Sequence, residues 1–325
     1  MVSFDEIKNH IAKELDSFNQ EFDKALDSDN AILKLVNQHI INSKGKQIRP
    51  TMVILSSKIC DNVNENTNNV ALALELLHTA SLLHDDVVDE SDKRRGQKSV
   101  NAIWDNKIAI LVGDYLLSQA LNIATKTDNL EVIKTITSLG KKLTDGELKQ
   151  IKNVQDVNTL EERYLDVIRM KTAQLFAACT SCGAIVAKAS KEDVDKLLEF
   201  GEKYGMLFQI RDDVFDYISS ENKIGKPVGN DIREGKITLP LIYALSKADE
   251  QEKNRILNIF RQKDFTKENI DAIISFAIDK GGIEYAQKRM EEYKEEAESL
   301  LSGFKDGPAK EGFKTLLKYS LQRKN

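Results

Sequence analysis

Proline is scarce in this chain: Pro50, Pro227, Pro240 and Pro308 are the only four in 325 residues. With so few breakers, long helices can run uninterrupted. Missing too are long runs that alternate apolar and polar residues, which argues against half-buried strands as the main fabric. The formal net charge is −5, so the basic field that drives nucleic-acid binding is lacking and nucleic acid is not an expected partner. The longest uncharged stretch, TAQLFAACTSCGAIVA at 172–187, is shorter than the roughly 20 residues of a membrane span. It reads as a buried core helix.

The N-terminal MVSFDEIKNH has no apolar segment of the secretory kind, so the expected location is the cytoplasm. Cysteine usage agrees. Cys60, Cys179 and Cys182 are three, an odd number that suits free thiols in a reducing compartment. The CTSC spacing of Cys179 and Cys182 lacks the strand context of a redox pair and reads as inert core packing. Internal repeats, low-complexity tracts and linkers are absent, which leads to the expectation of one all-α domain over 1–325.

What is present is ample core material, 41% hydrophobic, with 30% charged residues around it. Phe4, Ile7, Ile11, Leu15, Phe18, Phe22 and Leu26 step along one face, which predicts a first helix broken at DSDN, 27–30. Further helical patterns cover 51–60, 68–90, 107–126, 130–153, 160–188 and 191–218. From Ser219 to Thr238 the chain loosens into SSENKIGKPVGNDIREGKIT. Long polar loops of this kind are usually functional or disordered. The acidic QKRMEEYKEEAES, 287–299, keeps an apolar stripe of Met290, Tyr293, Ala297 and Leu300 and reads as a solvated outer helix.

Chemistry concentrates in LLHDDVVDESDKRRG, 82–96, where Asp85, Asp86 and Asp89 are followed at once by Lys93, Arg94 and Arg95. On a helix Asp85 and Asp89 share a face, and their like charges repel. A bound cation offsets that repulsion. QIRDDVFDY repeats the arrangement with Asp212, Asp213 and Asp216. A lone cluster of this kind could be a solvated turn or a helix cap; two, each at the end of an apolar helix, point to cations instead. Carboxylate oxygens suit Mg²⁺, which often completes its shell with substrate phosphate, so facing clusters imply a polyphosphate between them. Candidate bases for such a ligand are Lys46 and Arg49 in GKQIRP, Arg94, Arg95, Lys171, Lys226 and Lys236. Each alone could be an ordinary surface or helix-end cation, but Lys171 interrupts a long apolar segment and needs a partner.

Other phosphate and metal chemistries fit less well. GNDIREGKI separates its glycines by five residues and has Ile237 where a P-loop needs Ser or Thr. Glu75 and His78 make one ExxH, whereas di-iron bundles use two. His84 and Asp85 could belong to an HD-type metal phosphohydrolase, which would leave the second cluster unexplained.

Taken in order, GKQIRP, LLHDDVVDESDKRRG, VGDYLL, GELKQ, KTAQLF, FQIRDDVFDY and GKPVGNDIREGKITLP resemble the motifs of the all-trans polyprenyl diphosphate synthases over about residues 40–245. The resemblance implies a large helical bundle around a central cavity. It also implies condensation of isopentenyl diphosphate with an allylic diphosphate such as farnesyl diphosphate, dependent on three Mg²⁺ ions. By the same resemblance, Asp85, Asp89 and Asp212 hold metal, with Asp86, Asp213 and Asp216 in support. Arg94, Lys171, Lys226 and Lys236 grip the allylic diphosphate, Lys46, Arg49, His78 and Arg95 bind isopentenyl diphosphate, and Thr172 and Gln209 line the carbocation. The family usually reads GGKRxRP, and here Lys44 and Gln47 depart from it.

Neighbouring readings remain in view. A terpene cyclase would carry Asn or Ser/Thr ligands in the second motif, and a silent partner subunit would have lost one cluster. Small Ser81 lies one turn, about 5.4 Å, before Asp85, and with Ala80 and Leu77 it is expected to line the wall that a growing chain slides past. Resembling short-chain enzymes place aromatics at the positions of Ser81 and Ala80, so a long product suited to a quinone side chain is expected here, with a farnesyl- or geranylgeranyl-length product as the alternative. The family is commonly dimeric. The loop 219–238 is the expected lid, and the basic end of KTLLKYSLQRKN, 314–325, is expected to tune the site or touch a membrane, unless it is an ordinary helix end.

Overall fold

The computed structural model describes residues 4–43, 45–155, 160–218 and 228–322. Lys44, Lys226 and the first part of the expected lid, 219–227, lie outside them. The described chain is all-α apart from one two-residue by two-residue hairpin. By packing it divides into two compact units. The first comprises Met1–Gly140, Leu175–Gly201 and Glu298–Tyr319, and the second Lys141–Gln174, Glu202–Ala297 and Ser320–Asn325.

In the first unit, α1 (Phe4–His10) and α2 (Ala12–Ala25) replace the single helix expected there. The break falls at Ile11, whose φ of −127° leaves the helical region, yet the periodic stripe from Phe4 to Leu26 is buried throughout. After α3 (Ala31–Asn42) comes α4 (Ile48–Ile59), with Pro50 tolerated in its first turn. The centre of the unit is α5 (Glu65–Val88), begun by a capping box between Asn64 and Thr67. Val70 to Leu74, Leu76 and Leu77 are all buried, so this middle stretch of α5 is enclosed, as its run of apolar letters requires.

A short α6 (Val100–Ile103) leads into α7 (Asn106–Thr125), which packs along α5. By length and composition α7 could cross a membrane, but Ala109, Val112, Leu116, Ala120 and Ile123 bury against the unit's core. The helix α8 (Leu130–Gln155) follows. Later pieces close the unit. Cys179 and Cys182 are fully buried in α10 (Gln174–Val186), and burial raises both thiols well above their ordinary range. They are packing residues. Phe200 meets Phe313 of the last helix edge-on at 4.7 Å.

The second unit holds α9 (Glu161–Ile168), a π-helical turn at Arg169–Ala173, and residues 202–218 of α11 (Lys191–Ile218). A short α12 (Asn230–Arg233) leads to α13 (Leu239–Ser246), which packs on α9 and on α15 (Lys267–Asp279), the helix after α14 (Glu250–Gln262). In α16 (Gly282–Leu300) Met290, Tyr293 and Ala297 are buried and the acids face outward, the solvated outer helix read from its stripe. The chain closes with α17 (Pro308–Gln322).

Candidate diphosphate and cation site

Each acidic cluster occupies the C-terminal end of a long helix. Asp85 lies in the last turn of α5 and Asp89 is its C-cap, with the Asp89 amide donating to the Asp85 carbonyl at 2.8 Å. Asp212, Asp213 and Asp216 lie in the last turns of α11. A helix carries about half a negative charge at that end, so in each cluster the carboxylates meet the repulsion of their own neighbours and of the helix pole. Such a place attracts cations. Among the described residues no three His, Cys, Asp or Glu side chains form a ready cage for one ion. Mg²⁺ held by one or two carboxylates and by substrate oxygens needs no cage, so half-buried Asp85, Asp89 and Asp212 fit that ion.

The middle aspartate of each cluster has a different setting. Asp86 is 2% exposed and accepts from Arg94 Nε at 2.7 Å and Nη2 at 2.5 Å. Arg94 reaches it because the chain reverses in a hairpin, β1 (Lys93–Arg94) against β2 (Gln97–Lys98). The two turn residues, Arg95 and Gly96, have φ of 51° and 78°, the tight turn that suits the strand twist. This brings Arg95 onto the GKQIRP loop. Its Nη1 donates to the Ser43 carbonyl at 2.9 Å, and a Cβ at Gly45 would stand 2.7 Å from its Cζ. Glycine before Lys46 makes room for that guanidinium.

Around this contact the first unit gathers further groups. Lys46 donates to the Tyr319 hydroxyl at 2.6 Å, and Arg49 stacks over Phe176 at 4.8 Å. Gln47, where the family has arginine, takes φ of 61° and donates to Asn19 Oδ1 at 2.6 Å. A cavity of about 70 Å³ is lined by Gln47, Glu75, Asp86, Arg94 and Arg95 among others. Buried His78 is held neutral, its pKa pushed well down by burial and then by Arg49, Arg95 and Arg94. It can offer a hydrogen bond but not a charge. Glu75 was not foreseen as a site residue; burial raises its pKa against the pull of Arg49 and Arg95. The ExxH spacing of Glu75 and His78 was its one sequence signal.

In the second unit the π turn carries Lys171 and Thr172, and such turns frequently mark functional sites. Lys171 finds its partner in Glu147 of the GELKQ motif, and Gly146 lets α8 approach so closely that a Cβ there would lie 3.0 Å from the Lys171 backbone nitrogen. Thr172 Oγ1 donates to Gln209 Oε1 at 2.8 Å, and Gln209 Nε2 donates to Asp213 Oδ1 at 2.7 Å. The other Asp213 oxygen accepts from Tyr164 at 2.6 Å. Burial pushes the Asp213 acid up to about 7, with Tyr164 and Gln209 opposing. Asp216 caps α12, accepting from the Asn230 and Asp231 amides at 2.9 Å each, and so secures the chain's return from the loop. Lys236 pairs with Glu234 at 2.5 Å. Tyr164, Lys171, Thr172, Gln209, Asp213, Asp231 and Lys236 line one cavity of about 140 Å³.

Tyr164 and Asp231 were missed from the sequence. Tyr164 lies seven residues before Lys171 and shares its helical face, a signal that was there to find. Asp231 lacked one, because its burial depends on the fold of α12. His84 is turned toward α7, with Nε2 at 3.3 Å from both the Ile110 carbonyl and Asp114 Oδ1. An HD-type hydrolase would instead use that histidine on a metal.

Acidic helix ends, guanidinium and ammonium groups on helices, a hairpin and loops, and an uncharged hydroxyl–amide pair are the groups that proteins handling phosphate esters together with cations bring to their sites. A sequence model described as polyprenyl synthetase matches residues 30–277. The octaprenyl diphosphate synthase of Haemophilus influenzae is 32% identical over 323 residues, covering 99% of this chain and 98% of that one. Among solved structures, a polyprenyl synthase from Caulobacter crescentus, complexed with calcium and isoprenyl diphosphate, superposes with a TM-score of 0.95 at 29% identity, covering 100% of this chain and 99% of the other. A geranylgeranyl pyrophosphate synthase from Bacteroides thetaiotaomicron gives 0.85 at 40% identity, with 98% of each chain covered. The chain belongs to the polyprenyl synthetase family and is a prenyltransferase.

Proposed function

We propose that this prenyltransferase condenses isopentenyl diphosphate with an allylic diphosphate, farnesyl diphosphate as primer, to make a long-chain all-trans polyprenyl diphosphate of the quinone side-chain type. The observation that carries the reading is the shared construction of the two clusters. In each, the middle aspartate is locked by internal partners, while outer carboxylates stand at a helix's negative pole.

Three Mg²⁺ ions, held by Asp85 and Asp89 and by Asp212, would neutralise the charge that develops on the departing diphosphate. Arg94, Lys171 and Lys236 bind the allylic diphosphate, and Lys46, Arg49, His78 and Arg95 bind isopentenyl diphosphate. Lys226 belongs with the first group by motif. The allylic carbon–oxygen bond breaks, the double bond of isopentenyl diphosphate attacks the cation, and the proton lost goes to the released diphosphate. Thr172 and Gln209 stand by the cation without offering it a nucleophilic anion.

Half-buried Ser81, one turn before Asp85, supports a long product. Exposed Ile110 and Leu111 on α7 support a homodimer that covers them. Each unit draws on three separate stretches of chain, which supports a single working domain over 1–325. Mass analysis of products from isopentenyl and farnesyl diphosphates with Mg²⁺ tests the reading. The expected result is a ladder ending at a long polyprenyl diphosphate; inorganic phosphate without condensation would overturn it.

A further inference from the structure

The cavity of the second unit contains a chain of hydrogen bonds whose direction is set at one end. Tyr164 and Gln209 both favour the ionised form of Asp213, and to that carboxylate Tyr164 can only donate, which it does to Oδ2 at 2.6 Å. The other carboxylate oxygen accepts from Gln209 Nε2 at 2.7 Å. A carboxylate draws the amide nitrogen toward itself, so the Gln209 carbonyl faces the opposite way, and there Thr172 donates to it at 2.8 Å. Thr172 has one hydroxyl hydrogen, and Gln209 takes it. Toward the cavity that Tyr164, Thr172, Gln209 and Asp213 all line, Thr172 can therefore present only lone pairs.

We infer that Tyr164 is a positioning residue: through Asp213 and Gln209 it fixes the Thr172 hydroxyl with its oxygen toward the developing allylic cation. The inference deepens the proposed condensation and rests on it. A preoriented dipole stabilises a transition-state charge without reorganising when the charge appears. A threonine free to rotate would spend part of its time with the positive hydrogen end toward the cation. In the proposed condensation Thr172 stands beside the reacting carbons, whereas Tyr164 acts through two intermediaries, so its removal should affect the chemical step and spare binding.

The test is steady-state kinetics on the full chain with isopentenyl diphosphate, farnesyl diphosphate and Mg²⁺. Tyr164→Phe removes one oxygen. The expected result is a kcat lowered about ten- to a hundredfold, the scale of a lost hydrogen bond to a charged acceptor, with both KM values within about threefold of the parent. Tyr164→Phe combined with Thr172→Val should be no slower than Thr172→Val alone, because both interrupt one relay. An unchanged kcat, a loss confined to KM, or an effect fully additive with Thr172→Val would overturn the inference. Should Tyr164→Phe melt below the assay temperature, Gln209→Glu serves instead: it keeps the shape and sets a carboxylate against Asp213, and an unchanged kcat there overturns the relay. A wild-type chain that condenses nothing overturns the functional reading and this inference together, whereas an active wild type with an indifferent Tyr164→Phe overturns the inference alone.

Discussion

Lys46 and Tyr319, 273 residues apart in sequence, share a hydrogen bond of 2.6 Å from the ammonium to the phenol oxygen. The last helix thus steadies a base of the GKQIRP loop. Tyr319→Phe keeps the ring and removes the acceptor, worth about 1 kcal/mol. KM for isopentenyl diphosphate should rise roughly three- to tenfold, while KM for farnesyl diphosphate stays unchanged. Initial rates with each substrate varied in turn would show it, and equal rises in both would disconnect the contact from that subsite.

Outer and middle aspartates should separate activity from stability. Asp85→Ala or Asp212→Ala should lower turnover by several orders of magnitude while the helices stay folded, since each removes a repelling charge from a negative helix pole. Asp86→Ala should do the reverse in emphasis. It strips Arg94 of its buried partner, and a loss of about 2 kcal/mol is expected for a pair whose arginine is one-third exposed. Urea melts beside turnover measurements check both; near-normal turnover in Asp85→Ala or Asp212→Ala would count against two working clusters.

His78 should leave its mark on acid stability. Its folded pKa is depressed well below the ordinary 6.5, so below that value the unfolded chain takes up a proton that the folded chain refuses. Stability is then present above about pH 6.5 and falls as pH drops, by roughly 1 kcal/mol over the first pH unit below that. His78→Gln should flatten that decline. Chemical melts at pH 7 and 5.5 decide it, and an equally steep decline in the variant would mean that other groups cause it.

Product length should respond to Ser81 more cleanly than to Ala80. The structure leaves Ser81 half-buried but buries Ala80 to 2% exposure and Leu77 likewise to 2%, so a ring at Ala80 would overpack the core at about 1–3 kcal/mol. Ser81→Phe alone is expected to shift products to farnesyl or geranylgeranyl length with condensation intact. Mass spectrometry of the extracted products is the check; an unchanged long product would place the chain's path elsewhere.

The sequence by itself determined the all-α character, the helix ends at 125, 186 and 218 to within a residue or two, and the two acidic clusters, because apolar periodicity and like-charge crowding are local properties. It also showed that Lys171 needed a partner. Tertiary structure alone decided that the partner is Glu147, that Arg94 serves Asp86, and that Lys46 meets Tyr319. The break at Ile11 and the π turn at Arg169–Ala173 were likewise hidden, since both keep the apolar stripe intact while altering the backbone. The difference in role between Asp212 and Asp213 lies in burial and in the direction of hydrogen bonds from Tyr164 and Gln209. Adjacent identical letters differ there only in which face of α11 they occupy and in what the distant chain has packed against it.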